Sequence, residues 1–415
     1  MAEYSRPILD FENRPLPVHA PATQEEMGEM VRAAAASGHA VYPVGGGTRL
    51  HLGLSPRRSG VVLATAGLNR VVDYPARDMT VTVELGMAVS TLRQLLAAEG
   101  QMLPVDCPNP DHATLGGLLA TNGSGPGRQG YGTARDYLLG LTVIDDQGRL
   151  TRSGGRVVKN VAGYDMGKLH IGAMGTLGPL VQATFKLKPK PEAVALALIS
   201  LAEEHLQPFA ETLFGSATRP FVTDLLSPGA VSAFAAKAGL GLQGWLGVVA
   251  FDGAPESVAW QLATLQDELS RVTRAEVMVP DHFSSAWDAL ISLHGPQGTM
   301  GLRIGVLPGD TVGMAQTLAD WAPKAGLMAQ LGAGIVTAWG EPQPIQEPLP
   351  SLVGRLRQLA LARQGWLVVI RSPAGSLKPQ AMYGGPRPDT AIMAEIKQQL
   401  DPANLFNPGR FPGDI

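Results

Sequence analysis

The chain has 415 residues, 33 Lys and Arg against 36 Asp and Glu, and a formal net charge of −3, a length that predicts about two to three domains. Glycine and proline, 50 and 33 residues, make up about one residue in five against roughly one in eight on average, which means either disorder or a fold that binds through its backbone. No apolar run reaches the ~20 residues of a bilayer span, no basic block points to nucleic acid, and the single cysteine, Cys107, excludes an internal disulfide or an iron–sulfur cluster with its roughly four ligands.

The N-terminus carries Glu3, Asp10 and Glu12 where a secretory signal would be basic and then apolar, so a cytoplasmic chain is expected. Gln24 to Ser37 predicts a helix, with Thr23 and Glu26 as a capping pair and Gly38 at its exit. His39–Val44 predicts a short strand running into Gly45-Gly46-Gly47-Thr48, and Val61–Thr65 a second strand. Thr80, Thr82 and Glu84 alternate with Val81, Val83 and Leu85, the pattern of a half-buried strand. Ser90 is the expected cap of a helix reaching Glu99, closed by Gly100. Pro104 to Arg135 lacks periodicity. Leu138–Ile144 and Arg149–Arg152 predict a hairpin turning at Gln147-Gly148, and alternation at 181–188 predicts another strand ending at Pro189 and Pro191.

From 193 to 371 apolar strands (194–201, 245–251, 302–306, 335–339, 366–370) alternate with helical windows at 256–271, 311–324 and 349–364, an α+β segment. A last helix from Thr390 to Leu400 leads into Asp401-Pro402-Ala403-Asn404-Leu405-Phe406-Asn407-Pro408-Gly409-Arg410.

Three glycine-rich loops stand out. Pro43-Val44-Gly45-Gly46-Gly47-Thr48-Arg49 follows a strand, and consecutive glycines let backbone amides converge on an anion. It is not a Walker A loop, which needs a following Gly-Lys-Ser/Thr, nor a Rossmann fingerprint, whose glycine spacing fails here. A tight strand exit explains it equally well. The second loop, Thr114-Leu115-Gly116-Gly117 through Asn122-Gly123-Ser124-Gly125 to Gly132, is again almost uncharged. Two such loops in one domain suggest backbone enclosing a large phosphate-bearing cofactor. The third runs from Val157 to Asp165 and is followed by Gly175-Thr176-Leu177-Gly178.

The spacing of Gly45-Gly46-Gly47-Thr48, Thr114-Leu115-Gly116-Gly117, Lys159-Asn160-Val161-Ala162-Gly163-Tyr164-Asp165 and Gly175-Thr176-Leu177-Gly178 resembles the vanillyl-alcohol-oxidase/PCMH-type FAD-binding family. The tail from Asp401 to Arg410 is similar to the closing motif of that family's glycolate and D-lactate dehydrogenase branch. The resemblance covers about residues 15–190 and 398–410. It implies an α+β fold: a PCMH-type two-subdomain FAD-binding domain over 1–190, an α+β cap domain over 191–375, and a C-terminal helix and tail, 376–415, returning to the FAD domain. It implies non-covalent FAD, because covalent members carry a histidine where this chain has Thr48, and His51 and Cys107 are better read as ordinary residues.

By the same resemblance, Pro43, Gly45, Gly46, Gly47, Thr48 and Arg49 would hold the pyrophosphate through backbone amides. Pro108, Thr114, Leu115, Gly116, Gly117 and Asn122 would line the pocket, with Gly123 and Gly125 allowing close approach. Gly163, Tyr164 and Asp165 would lie near the cofactor, Gly175, Thr176, Leu177 and Leu180 would touch it through backbone, and Asn407 would approach the flavin. Pro179 departs from the family pattern by lacking an amide proton. A valine at Gly46 is expected to abolish FAD retention by pressing on the pyrophosphate.

Catalytic groups are not evident. The 8 histidines fall in neither His-rich motif of hydroxy-acid-oxidising relatives, and none pair at metal-ligand spacing, so no metal is expected. His112 and Arg371 are weak candidates, the latter as a carboxylate ligand. The resemblance then implies the FAD-binding subunit of a complex that oxidises glycolate or D-lactate, a small 2-hydroxy acid, to the 2-oxo acid. Its expected partners are a homologous flavoprotein subunit and an iron–sulfur subunit, with membrane contact only indirect through these partners, at the inner face of the cytoplasmic membrane. The alternatives are a self-sufficient FAD-dependent D-2-hydroxy-acid dehydrogenase and a non-catalytic structural subunit.

Overall fold

The computed structural model describes residues 9–12, 14–156, 163–273, 275–295, 297–341, 348–373, 376–385 and 388–415. The third glycine loop at Val157 to Ala162 and the residues Ala374 and Gly375 beside Arg371 lie outside the described residues. The chain divides into two units, one of residues 1–124, 133–190 and 385–415, the other of 125–132 and 191–384.

Besides two short two-stranded ladders, 10–11 with 14–15 and 101–102 with 188–189, the first unit holds two larger sheets. Its helix α1, Gln24–Ala36, is capped as the sequence suggests: Thr23 Oγ1 accepts the Glu26 amide at 3.1 Å. The Glu26 carboxylate reaches back one residue further than a capping box requires and accepts the Ala22 amide at 2.7 Å. Strands β1 (Val18–His19), β2 (Ala40–Val44) and β3 (Gly60–Ala64) form a parallel sheet with β3 central. The second sheet is antiparallel and built from β4 (Val71–Asp73), β5 (Thr80–Glu84), β6 (Leu138–Ile144), β7 (Leu150–Gly154) and β8 (Leu180–Lys186), in the order β7-β6-β8-β5-β4. The β6–β7 hairpin turns at Gly148, whose φ of +68° only glycine adopts freely. Asp145 fixes that turn by accepting the amides of Gln147 and Arg149.

Met27, Val31 and Ala34, spaced along one stripe of α1, pack with Val41, Leu63, Ile144 and Val181 from both sheets. Leu405 and Phe406 of the tail complete the same core. After α10 (Pro388–Leu400, numbered with the helices below), Val41 and Phe406 form a parallel bridge, so the C-terminus adds to the edge of β2.

Two expectations change here. Strand β5 is not half-buried: all five residues are enclosed. Its polar face is satisfied internally, with Thr82 and Thr184 hydroxyls 2.9 Å apart and Glu84 bonded to Arg70 and Gln24. Ser90 does not cap α2, Val89–Ala97; Ala88 takes that position without a side-chain bond, and the Ser90 amide goes to the Pro110 carbonyl at 3.0 Å.

The second unit is one eight-stranded antiparallel sheet of β9 (Ala193–Leu201), β10 (Val222–Leu226), β11 (Trp245–Gly253), β12 (Val277–Met278), β13 (Met300–Gly305), β14 (Gly326–Gln330), β15 (Ile335–Gly340) and β16 (Trp366–Arg371). The spatial order is β12-β9-β11-β10-β14-β15-β13-β16. One face is covered by α4 (Leu206–Gly215), α6 (Pro255–Ser270), α8 (Thr311–Trp321) and α9 (Leu349–Ala362), whose apolar sides meet Ala197, Ile199, Val249, Ile304 and Val336. The other carries α5 (Pro228–Ala238) and α7 (Phe283–Leu293) over Leu196, Leu198, Val222 and Val248. Strands β10 and β14 and helices α4, α5 and α7 lie between the segments that periodicity picked out.

Residues 125–132 contribute to this unit. The Gly130 amide bonds the Phe221 carbonyl at 3.1 Å, Tyr131 donates to Asp252, and the Tyr131 and Phe221 rings lie 5.1 Å apart.

Candidate functional site

The first glycine loop leaves the end of β2 and forms one wall of a pocket in the first unit, with a cavity of about 90 Å³. Its lining runs from Pro43 to Leu50 without a break and adds Leu9 and Leu52. Thr114, Gly117, Ala120 and Thr121 come from the second loop, Met174 from the loop before β8, and Asn407 and Arg410 from the tail. Among the described residues the lining includes two arginines and no Asp or Glu. Among the described residues, the amides of Gly46, Gly47 and Thr48 meet no acceptor.

The reason for the glycines differs from the expected one. A methyl group on Gly46 would overlap the His112 carbonyl oxygen, and one on Gly45 would overlap Thr114 Oγ1. The first loop therefore packs closely on the His112 backbone and the Thr114 side chain at the start of the second loop, and the glycines permit that approach. A side chain at Gly46 strikes the protein before it strikes a ligand. Gly47 alone of the three has a left-handed backbone, φ +71°. Thr114 faces two ways: its hydroxyl accepts the Gly117 amide at 3.2 Å, capping the short helix α3, Leu115–Ala120, and meets the first loop. Because Leu115 and Gly116 donate to the carbonyls of Met87 and Leu85, at 3.0 and 2.7 Å, this helix is pinned across the end of β5.

The tail closes the remaining side. Asn407, left-handed at φ +44°, donates its backbone amide to Val41 at 2.9 Å and its side chain to the Met174 carbonyl at 2.7 Å. Gly175, at φ +72°, leaves room for that side chain; a methyl there would stand 2.9 Å from Asn407 Nδ2. Arg410 Nη2 donates to the carbonyls of Leu50 and Leu52, at 3.2 and 3.0 Å, and holds the loop that follows Arg49.

Of the sequence-derived cofactor residues, Pro43, Gly45, Gly46, Gly47, Thr48, Arg49, Thr114, Gly117 and Asn407 come together in this lining. The rest lie outside it. Pro108 and Leu115 are buried, Gly116 lies against Leu85, and Asn122 is left-handed with an enclosed, unpartnered Oδ1. Gly123 backs onto the Arg49 guanidinium, while Gly125 opens the segment that belongs to the second unit. Tyr164 is 91% exposed, and Asp165 pairs with Lys168 at 3.4 Å beside Gly163. Gly175 stands behind Asn407 and Leu177 is buried. Thr176 hydrogen-bonds the Ala173 carbonyl, and Leu180 is in β8 opposite Val143. Among the lining residues that the sequence reading missed are Arg410 and Met174. Arg410 stood within the quoted tail motif, but its inward direction is set by the turn at Asn407.

The two weak catalytic candidates are not brought into this pocket. His112 is exposed beside the first loop, and Arg371 ends β16 of the second unit opposite Gly301. Burial drops the His170 pKa to about 4, so its ring is neutral near pH 7. Among the described residues no group of three or more His, Cys, Asp or Glu is placed to hold a metal.

The donor set fits a diphosphate. Among the described residues, a lining without Asp or Glu, unengaged loop amides and an arginine whose Nη2 is enclosed and unpartnered are the donor set that a diphosphate requires. Residues 15–154 match a family model described as FAD binding domain. D-2-hydroxyglutarate dehydrogenase of Xanthomonas citri pv. viticola is 27% identical over 95% of this chain and 89% of the relative. Glycolate oxidase subunit GlcE of Escherichia coli is 37% identical over 33% of this chain and 42% of the relative, and subunit GlcD of Bacillus subtilis 32% identical over 44% and 39%. The matches to GlcE and GlcD thus span less than half of each relative. Among solved structures, a 4-ethylphenol oxidase from Gulosibacter chungangensis aligns with a TM-score of 0.72 at 15% identity over 97% of this chain and 90% of that one. An alkyldihydroxyacetonephosphate synthase aligns at 0.66 and 18% over 94% and 75%. At these identities the structural likeness establishes the fold. Residues 15–154 form an FAD-binding domain, the cofactor is FAD, and the chain is an FAD-dependent oxidoreductase.

Proposed function

We propose that this FAD-dependent oxidoreductase serves the oxidation of a small D-2-hydroxy acid, glycolate or D-lactate, as the FAD-holding subunit of a complex. In this reading a homologous flavoprotein subunit supplies the acid–base groups and an iron–sulfur subunit takes the electrons onward. When bound, FAD would supply the two-electron acceptor for the hydroxyl-bearing carbon. This chain's part is to hold the diphosphate on the amides of Gly46, Gly47 and Thr48 and to close the pocket with Asn407 and Arg410. The observation that supports the reading is a pocket with unengaged loop amides and, among the described residues, no Asp, Glu or histidine in its lining and no metal cluster, in a domain similar to glycolate oxidase subunits. With one cysteine in the whole sequence, single-electron relay through a cluster must come from elsewhere.

One comparison favours a second reading. The D-2-hydroxyglutarate dehydrogenase aligns over nearly the full length of both chains, as a self-sufficient D-2-hydroxy-acid dehydrogenase would. One experiment separates the two. The purified chain, loaded with FAD, is mixed anaerobically with glycolate, D-lactate or D-2-hydroxyglutarate while the flavin absorbance is followed. The complex reading expects no bleaching until partner subunits are added. Bleaching by the chain alone establishes the self-sufficient enzyme, and a protein that takes up no FAD defeats both.

A further inference from the structure

We propose that the Arg49 side chain is the internal counter-charge of the cofactor's diphosphate, an ion pair added to the amide cradle; this rests on the FAD reading above. Among the described residues the Arg49 side chain makes no hydrogen bond or ion pair, and its Nη2 is sealed from solvent. Among the described residues the other ionisable groups near it are engaged or uncharged. Arg410 is spent on the Leu50 and Leu52 carbonyls. Cys107 is the one ionisable group with a felt influence on Arg49, and burial pushes that thiol upward, which keeps it uncharged. Among the described residues no carboxylate lines the pocket.

An enclosed cation without a partner is costly and is tolerated where a ligand supplies the anion. The guanidinium fork matches two phosphate oxygens, which a lysine's point charge does not. Gly123 adds a second, independent sign. A methyl group there would stand 2.9 Å from Arg49 Cζ and Nη2, so the second loop leaves the volume that the guanidinium occupies.

The test uses the full chain stripped of flavin, with Arg49→Met and Arg49→Lys variants. FAD affinity is read from quenching of flavin fluorescence, and stability of the stripped protein from its melting temperature with and without inorganic pyrophosphate. Arg49→Met is expected to weaken FAD binding at least tenfold, and Arg49→Lys to fall between it and the wild type. Without ligand, Arg49→Met should melt at or above the wild-type temperature, because an unpaired cation has been removed. Pyrophosphate should raise the melting temperature of the wild type and leave Arg49→Met unmoved. FAD binding unchanged in Arg49→Met overturns the proposal alone. A stripped Arg49→Met that melts lower than wild type assigns the side chain a structural role and also overturns it. A wild-type chain that takes up no FAD overturns the cofactor reading and this proposal together.

Discussion

Lys397 Nζ lies 2.5 Å from Asp401 Oδ2, one helical turn further on, and both side chains are buried. The ammonium also donates to the carbonyls of Thr176 and Phe406, at 2.7 and 2.9 Å, while the carboxylate accepts the amides of Leu405 and Phe406, both at 2.8 Å. Burial pulls the ammonium below its ordinary range, and Asp401 opposes that pull. These bonds bend the chain after α10 so that Asn407 and Arg410 enter the pocket. Breaking a buried pair from one side leaves an uncompensated charge and costs about 3–5 kcal/mol. Lys397→Met is therefore expected to lower the free energy of unfolding by that order and to weaken FAD binding with it. An unchanged denaturation midpoint would show that the tail is held by its apolar contacts alone.

Gly46→Ala and Gly47→Ala should separate in severity. At Gly46 the new methyl overlaps the His112 carbonyl, and neither backbone can yield without moving its loop. FAD retention after gel filtration should be lost, with a destabilised first unit. At Gly47 the nearest atom to a methyl is Leu50 Cδ1 at 3.7 Å, so the cost is left-handed strain alone, about 1–2 kcal/mol. Equal flavin retention in the two variants would refute the loop-to-loop contact as the reason for the glycines.

Asp224 in β10 faces Gln330 across the sheet, and its Oδ2 has no partner among the described residues. Burial raises this carboxyl well above its ordinary value. The folded state therefore keeps a proton that the unfolded state releases, and stability falls as pH rises above the unfolded value of about 4. Asp224→Asn should melt higher than wild type at pH 8, with the gap closing toward pH 4. Parallel melting curves across that range would show that Asp224 is ionised in the fold.

Glu84 behaves in the opposite sense. Desolvation raises its carboxyl, but side-chain and backbone bonds from Arg70, with Gln24 assisting, outweigh it and the net shift is downward. A depressed value contributes stability that is present above the unfolded value, about 4, and lost as pH falls through the folded one. Glu84→Gln should be less stable than wild type at pH 7, with the difference shrinking in acid. Thermal melts from pH 3 to 7 measure it.

How much of this was legible in the sequence depends on the range of the interaction. The α1 cap, the Gly148 turn and the strand at 180–186 are set by residues within a few positions, and they stand where periodicity and turn chemistry placed them. Strand β5 misled because its threonines and Glu84 are satisfied by partners 14 to 102 positions away, which no local pattern reports. Strand β14 follows a helix and precedes another strand after only four residues, so its apolar run merges with its neighbours'. In the site, the first loop, Thr114, Gly117 and Asn407 were readable from motif spacing. Met174 and Arg410 were not, since each enters through a long-range backbone bond.

The Gly125–Gly132 excursion has a practical corollary for anyone dissecting this protein. The polypeptide passes from one unit to the other four times, at 124/125, 132/133, 190/191 and 384/385. A fragment of 191–384 would lack the Gly130 amide at Phe221 and the Tyr131 phenol at Asp252, and one ending at 190 would lack the strand-like partner of Val41. No single cut yields two intact halves, so limited proteolysis should remove either unit only by unravelling the other.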